Sequence, residues 1–161
     1  MRKSRIGLLG LVAVSVMVVI ATSPRLALTH CQMPCGIYDD ASRVQAMRED
    51  VTTIEKAVTS ITELAGKTDA QSINQITRWV SAKEDYASAI ITTIAEYFLT
   101  QRVKPIAPGE KGHDTYLKSL SDHHAVMVAA MKVKQNTDPK FVASLKEAVD
   151  TLSKYYEITG H

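Results

Sequence analysis

Val44, Met47, Val51, Ile54, Val58, Ile61 and Leu64 advance by three and four residues in alternation. Only a helix brings side chains at that spacing onto one face, and a face so apolar must be covered by neighbours. Asp39 or Asp40 can cap the start of this helix and Gly66 can end it. A second helix is expected from about Ala70 to Arg102, with Asp69 as its N-cap. Ile73, Ile76, Val80, Ala87, Ile90, Ile94 and Phe98 would face inward, and Lys83 interrupts the stripe. The stretch V-K-P-I-A-P-G-E-K-G-H-D holds two prolines and two glycines and reads as a loop. Beyond it Leu117, Leu120, His124, Met127 and Met131 mark a third helix. Asp138-Pro139 pairs an N-cap with proline at the first helical position of a fourth, whose seam is Val142, Leu145, Val149, Leu152 and Tyr156. No alternating β-branched run lies between turn signals. The expected fold is all-α, an antiparallel four-helix bundle over residues 40–161.

The first 29 residues have another character. Arg2, Lys3 and Arg5 precede a nearly unbroken apolar run, Ile6 to Ala21, and then a short polar stretch. That is the layout of a secretory signal peptide, and the run is shorter than the roughly 20 residues of a membrane span. Cleavage after Thr29 leaves Ala27 and Thr29 at the small-residue positions before the cut, whereas cleavage after Ala27 would place Arg25 there. Residues 1–29 are therefore expected to be a removed signal peptide or pro-segment, cut by a processing protease. No stable membrane span would remain, and a retained anchor is the alternative. The expected location is periplasmic or extracellular, with a cytoplasmic protein carrying a cleaved pro-segment as the other possibility. Removal takes away Arg2, Lys3, Arg5 and Arg25 and no acids, so 19 basic residues fall to 15 against 17 acidic. No basic stripe argues for nucleic acid.

Between leader and bundle lies T-H-C-Q-M-P-C-G-I-Y-D-D, which contains the only two cysteines of the chain. If His30 is the first residue of the mature protein, its α-amino group, with a reference pKa of about 8, is a nitrogen donor. Its imidazole is a second. The backbone nitrogen of Cys31 can be deprotonated by a metal because amine and thiolate flank it, and the Cys31 and Cys35 thiolates complete the set. Two nitrogens and two sulfurs in a plane suit Ni(II) or Cu(II). A structural zinc site would want a second ligand pair, and His113, His123, His124 and His161 are scattered. Anionic thiolate and amide ligands stabilise a higher oxidation state, as one-electron chemistry on a small oxidant requires. Residues 30–39 then form an N-terminal metal-binding hook. A disulfide between Cys31 and Cys35 is the plain alternative in an exported chain. A metal carrier without turnover is another.

The residues H-C-Q-M-P-C-G-I-Y, His30 to Tyr38, resemble the hook of the nickel superoxide dismutases, H-C-x-x-P-C-G-x-Y at a proteolytically exposed N-terminus. E-Y-F at Glu96–Phe98, followed by Lys104-Pro105, resembles another segment of that family. The resemblance implies an oxidoreductase that disproportionates superoxide to oxygen and hydrogen peroxide by Ni(II)/Ni(III) cycling. It also implies one nickel ion per subunit and a homohexamer of four-helix bundles. It makes His30, Cys31 and Cys35 the metal ligands, Tyr38 the tyrosine that screens the open face of the metal, and Tyr97 a bundle tyrosine near the same pocket. Gln32 stands where some members have Asp. Gln45 and Arg78 are the nearest counterparts of the Glu and Arg that steady the axial imidazole.

The remaining residues carry plainer expectations. His124 reads as a hydrogen-bonded core or interface histidine and His123 as solvent-facing. Met127 and Met131 read as core packing, Met33 as packing within the hook, and Trp79 as a bundle or subunit contact.

Overall fold

The computed structural model describes residues 38–156. The leader expected over residues 1–29 and the hook residues His30, Cys31 and Cys35 lie outside the described residues, as does His161. Four α-helices run through the described chain: α1 (Asp40–Leu64), α2 (Ala70–Thr92), α3 (His113–Gln135) and α4 (Pro139–Ser153). A π-helix, Thr93–Arg102, prolongs α2. α1 packs on α2, α2 on α3, α3 on α4, and α4 closes back on α1. With short connections this is a four-helix bundle, as the spacing predicts. There is no strand among the described residues.

The helix ends follow from local chemistry. Asp39 accepts from the Ser42 amide at 3.0 Å, Asp69 from the Ser72 amide at 2.9 Å, and Asp138 from the Lys140 amide at 3.0 Å. Each carboxylate satisfies an amide that its helix leaves without a partner. Gly66 takes a φ of +83° just past α1, a conformation strained for a residue with a Cβ.

Two of the seams are as read. Val44, Met47, Val51, Ile54 and Val58 are buried on α1, and Val142, Leu145, Val149 and Leu152 on α4. Ile61, Leu64 and Tyr156 are half-buried. On α2 the first turns depart from expectation: Ile73 is 53% exposed and Val80 also faces outward. Ala87, Ile90, Ile94 and Phe98 are buried as expected, Ile76 is half-buried, and Ser72, Lys83 and Tyr97 join the inward line. Lys83 stands in the seam rather than interrupting it.

On α3 the reading is rotated. Leu117 (48%) and Met131 (45%) are exposed, as is His124, while His123, Val126, Ala129, Ala130 and Val133 are buried. His123, expected in solvent, is in the core, and His124, expected in the seam, is not. The cause is steric: the buried face holds two alanines and two valines, which let neighbouring helices approach closely. Ranking positions by hydrophobic size selects the opposite side. Met127 is half-buried and packs against the core, so only this member of the methionine pair serves packing within the chain.

Lys83 is 3% exposed, yet its ammonium is fully used. Nζ donates to the Val133 carbonyl at 2.8 Å, to the Lys134 carbonyl, and to Glu84 Oε1 at 3.0 Å. The two carbonyls belong to the last turn of α3, where backbone acceptors lack helical partners and the helix dipole favours a cation. A side chain of α2 thus caps a helix 50 residues away in the chain. Lys83→Met keeps the apolar stem and removes the cap. It is expected to lower unfolding free energy in urea by about 1–3 kcal/mol, the range for leaving buried acceptors unmatched.

Candidate metal centre

The described chain begins with Tyr38, the last residue of the hook motif, 41% exposed. Its ring meets that of Tyr97 edge-on, with centroids 6.2 Å apart and planes at 65°. The Arg102 guanidinium lies 4.4 Å from the Tyr38 ring centroid, and that of Arg43 lies 5.2 Å from the Tyr97 centroid. Both are within reach of cation–π attraction. The two tyrosines singled out in the sequence are therefore brought together at one end of the bundle.

Asp40 joins them. The Tyr97 hydroxyl donates to Asp40 Oδ1 at 2.6 Å. Arg102 binds the same carboxylate with both arms: Nε lies 2.9 Å from Oδ1 and 3.0 Å from Oδ2, and Nη2 lies 2.7 Å from Oδ2. This bidentate geometry is the strong form of an arginine–carboxylate pair. Burial of the phenol, then the hydrogen bond to Asp40, push the Tyr97 pKa up to about 12. Tyr97 is therefore a neutral donor whose proton is committed to Asp40. Hydrogen bonding to Asp40 likewise raises the Arg102 pKa.

Reading the sequence assigns Asp40 only a capping role and gives no role to Arg43 or Arg102. One signal was present: Asp39 alone satisfies the cap, which leaves the second carboxylate of the doublet without a task. Gln45 donates to Glu49 along α1, and Arg78 is exposed on α2. Whether they approach His30 lies outside the described residues. Trp79 is half-buried on α2. No group of three or more His, Cys, Asp or Glu side chains able to hold a metal occurs among the described residues. The expected ligands, His30, Cys31 and Cys35, lie outside the described residues.

The chemistry of that donor set fits nickel. With His30 as the first residue, an amine, an imidazole, an ionisable amide and two thiolates within six residues, His30–Cys35, would combine soft and strongly donating ligands. The profile of nickel-containing superoxide dismutase matches residues 25–159, a span that includes the hook motif and the whole bundle. The chain belongs to the nickel-containing superoxide dismutase family. It is an oxidoreductase that uses nickel and takes superoxide as substrate. No curated protein and no solved structure matches it.

Behind the tyrosines the superoxide dismutase bundle is closed by aromatic packing. Phe98 sits 4.9 Å from Tyr97 and 4.4 Å from Tyr156 between ring centroids. Tyr156 in turn lies 2.8 Å, hydroxyl to Nε2, from His123. His123 Nδ1 is 2.7 Å from the Ser119 carbonyl, which can only accept, so Nδ1 carries the proton and Nε2 accepts from Tyr156. Burial pushes the imidazole pKa below its ordinary 6.5, and the Ser119 carbonyl and Asp122 oppose this only in part.

The sign for stability follows. As pH falls through 6.5, the unfolded chain takes up a proton at His123 that the native protein does not, so stability falls with it. Asp50 acts the other way: its carboxyl is raised to about 6 by burial and by Glu49, so acidification favours the fold there. A comparison with a His123 variant separates the two. Between about pH 7 and about pH 5 the melting temperature should fall more steeply for the wild type than for His123→Gln, as calorimetry would read. Parallel curves would refute the assignment.

Proposed function

We propose that the mature enzyme begins at His30 and that residues 30–39 wrap one nickel ion per subunit. His30 would bind through its amino and imidazole nitrogens, Cys31 through its backbone nitrogen and thiolate, and Cys35 through its thiolate. Bound there, nickel supplies one-electron exchange between Ni(II) and Ni(III), so that one superoxide is oxidised to oxygen and another, with two protons, is reduced to hydrogen peroxide. The observation that carries this reading is the continuous H-C-Q-M-P-C-G-I-Y motif inside the span that matches the family.

The chain's own groups would do the rest. Tyr38 offers a half-exposed phenol three residues after Cys35, suited to screening the open side of the centre and ordering water or substrate. Tyr97 is suited to support rather than proton delivery, because its hydroxyl already donates to Asp40. A short, enclosed approach would admit a diatomic anion and hold larger oxidants from the thiolates, which otherwise climb the oxidation ladder.

The reading also includes export before or during metal loading, with the protein located in the periplasm or outside the cell. It includes a homohexamer. The outward apolar stripe of α3, Leu117 and Met131 with His124 between them, supports subunit contact. Met131→Lys is expected to lower the assembly mass in sedimentation while helix content stays.

The decisive test is chemical. A protein left with Thr29 attached has an amide where the ligand amine should be. It should lose nickel-dependent superoxide consumption with helix content intact, and full activity in that form would sink the proposal. Cys31→Ser and Cys35→Ser should each abolish turnover. Metal analysis distinguishes the rivals, since a carrier would hold nickel without turnover and a disulfide would hold none and weigh two hydrogens less. N-terminal sequencing of the purified enzyme should start at His30.

A further inference from the structure

The ten-residue π-helix Thr93–Arg102 needs a reason, because π-winding is rare and most often a single turn beside a functional site. Its bonds span five residues: the Val103 amide donates to the Phe98 carbonyl at 2.9 Å, and Thr100 Oγ1 to the Ala95 carbonyl at 2.6 Å. In an α-helix, side chains five apart diverge by about 140°. Where the hydrogen bonds themselves reach five residues, they lie one turn apart on the same face. Tyr97 and Arg102 are five apart, and both reach one carboxylate oxygen, Asp40 Oδ1. The adjacent residues Tyr97 and Phe98 are both buried in the core.

Asp40 is two residues beyond Tyr38, and the guanidinium that grips Asp40 also covers the Tyr38 ring. Arg102 therefore touches both the Tyr38 ring and the carboxylate of Asp40, two residues further on. The nearby charges of Asp39, Asp40, Arg43 and Arg102 balance, so this cluster of described residues adds no net charge to attract an anion. We propose that the π-helix serves to deliver Arg102, and that Arg102 is a positioning residue that locks Tyr38 and the root of the hook against the bundle. The proposal rests on the reading of Tyr38 as the residue over the open face of the metal.

The test compares Arg102→Gln and Arg102→Lys in the processed, full-length protein, with and without nickel. Lysine keeps the charge but loses the two-armed grip, so it rescues only in part. Amide exchange over residues 38–42 should be about fivefold faster in Arg102→Gln, with helix content by circular dichroism unchanged. Superoxide turnover should fall about tenfold at unchanged nickel content. In a Tyr38→Ala background, Arg102→Gln should add no further loss, since an effect transmitted through Tyr38 vanishes with it. A full additional loss in that background would overturn the proposal, and so would unchanged exchange over residues 38–42. Should Arg102→Gln fail to fold, Arg102→Lys decides by the same two readouts. If Tyr38→Ala alone left turnover intact, the catalytic reading of Tyr38 would fall, and the exchange data would still decide the lock.

Discussion

The carboxylate of Asp40 holds the first turn of α1 to the end of the long second helical segment. Three donors converge on it, one phenol O–H and two guanidinium N–H groups, across 57 and 62 residues of chain. Helix packing alone sets the bundle, but it does not set where the chain before α1 leaves it. At Tyr38 to Asp40 the chain is held by the charge-assisted Arg102–Asp40 pair and by Arg102 over the Tyr38 ring. Asp40, Tyr97 and Arg102 fix Tyr38 and the first turn of α1 to the end of the second helical segment.

The same arrangement separates the roles of the two tyrosines. They resemble each other in sequence, each being an aromatic residue near the expected centre. In the fold Tyr97 is 1% exposed and its hydroxyl is bound inward, while Tyr38 keeps a large exposed surface. Burial makes one a strut and exposure leaves the other available to a small reactant. Arg43 stacks on Tyr97 and Arg102 on Tyr38, each far along the chain from its partner, so proximity in the sequence says nothing of their meeting.

Lys83 and His123 are in the core because hydrogen-bond partners await them there. Lys83 ends on the carbonyls of α3, and His123 bridges Ser119 and Tyr156. In the sequence Lys83 reads as a break in an apolar stripe and His123 as a solvent-facing residue. Periodicity scores a side chain by its hydrophobicity and is blind to an acceptor arriving from another helix.

The all-helical class, the four segments, the caps at Asp39, Asp69 and Asp138, and the seams of α1 and α4 were legible in the sequence, because spacing and capping are local properties. The hook motif was legible too, since its residues lie within one short stretch, and with it the family. The outward turn of Ile73 and Val80, the rotation of α3 towards its alanines, and the π-winding after Thr92 were decided by packing, which weighs close approach above hydrophobic size. So was the meeting of Tyr38, Asp40, Tyr97 and Arg102, because residues 62 positions apart become neighbours only when the bundle closes.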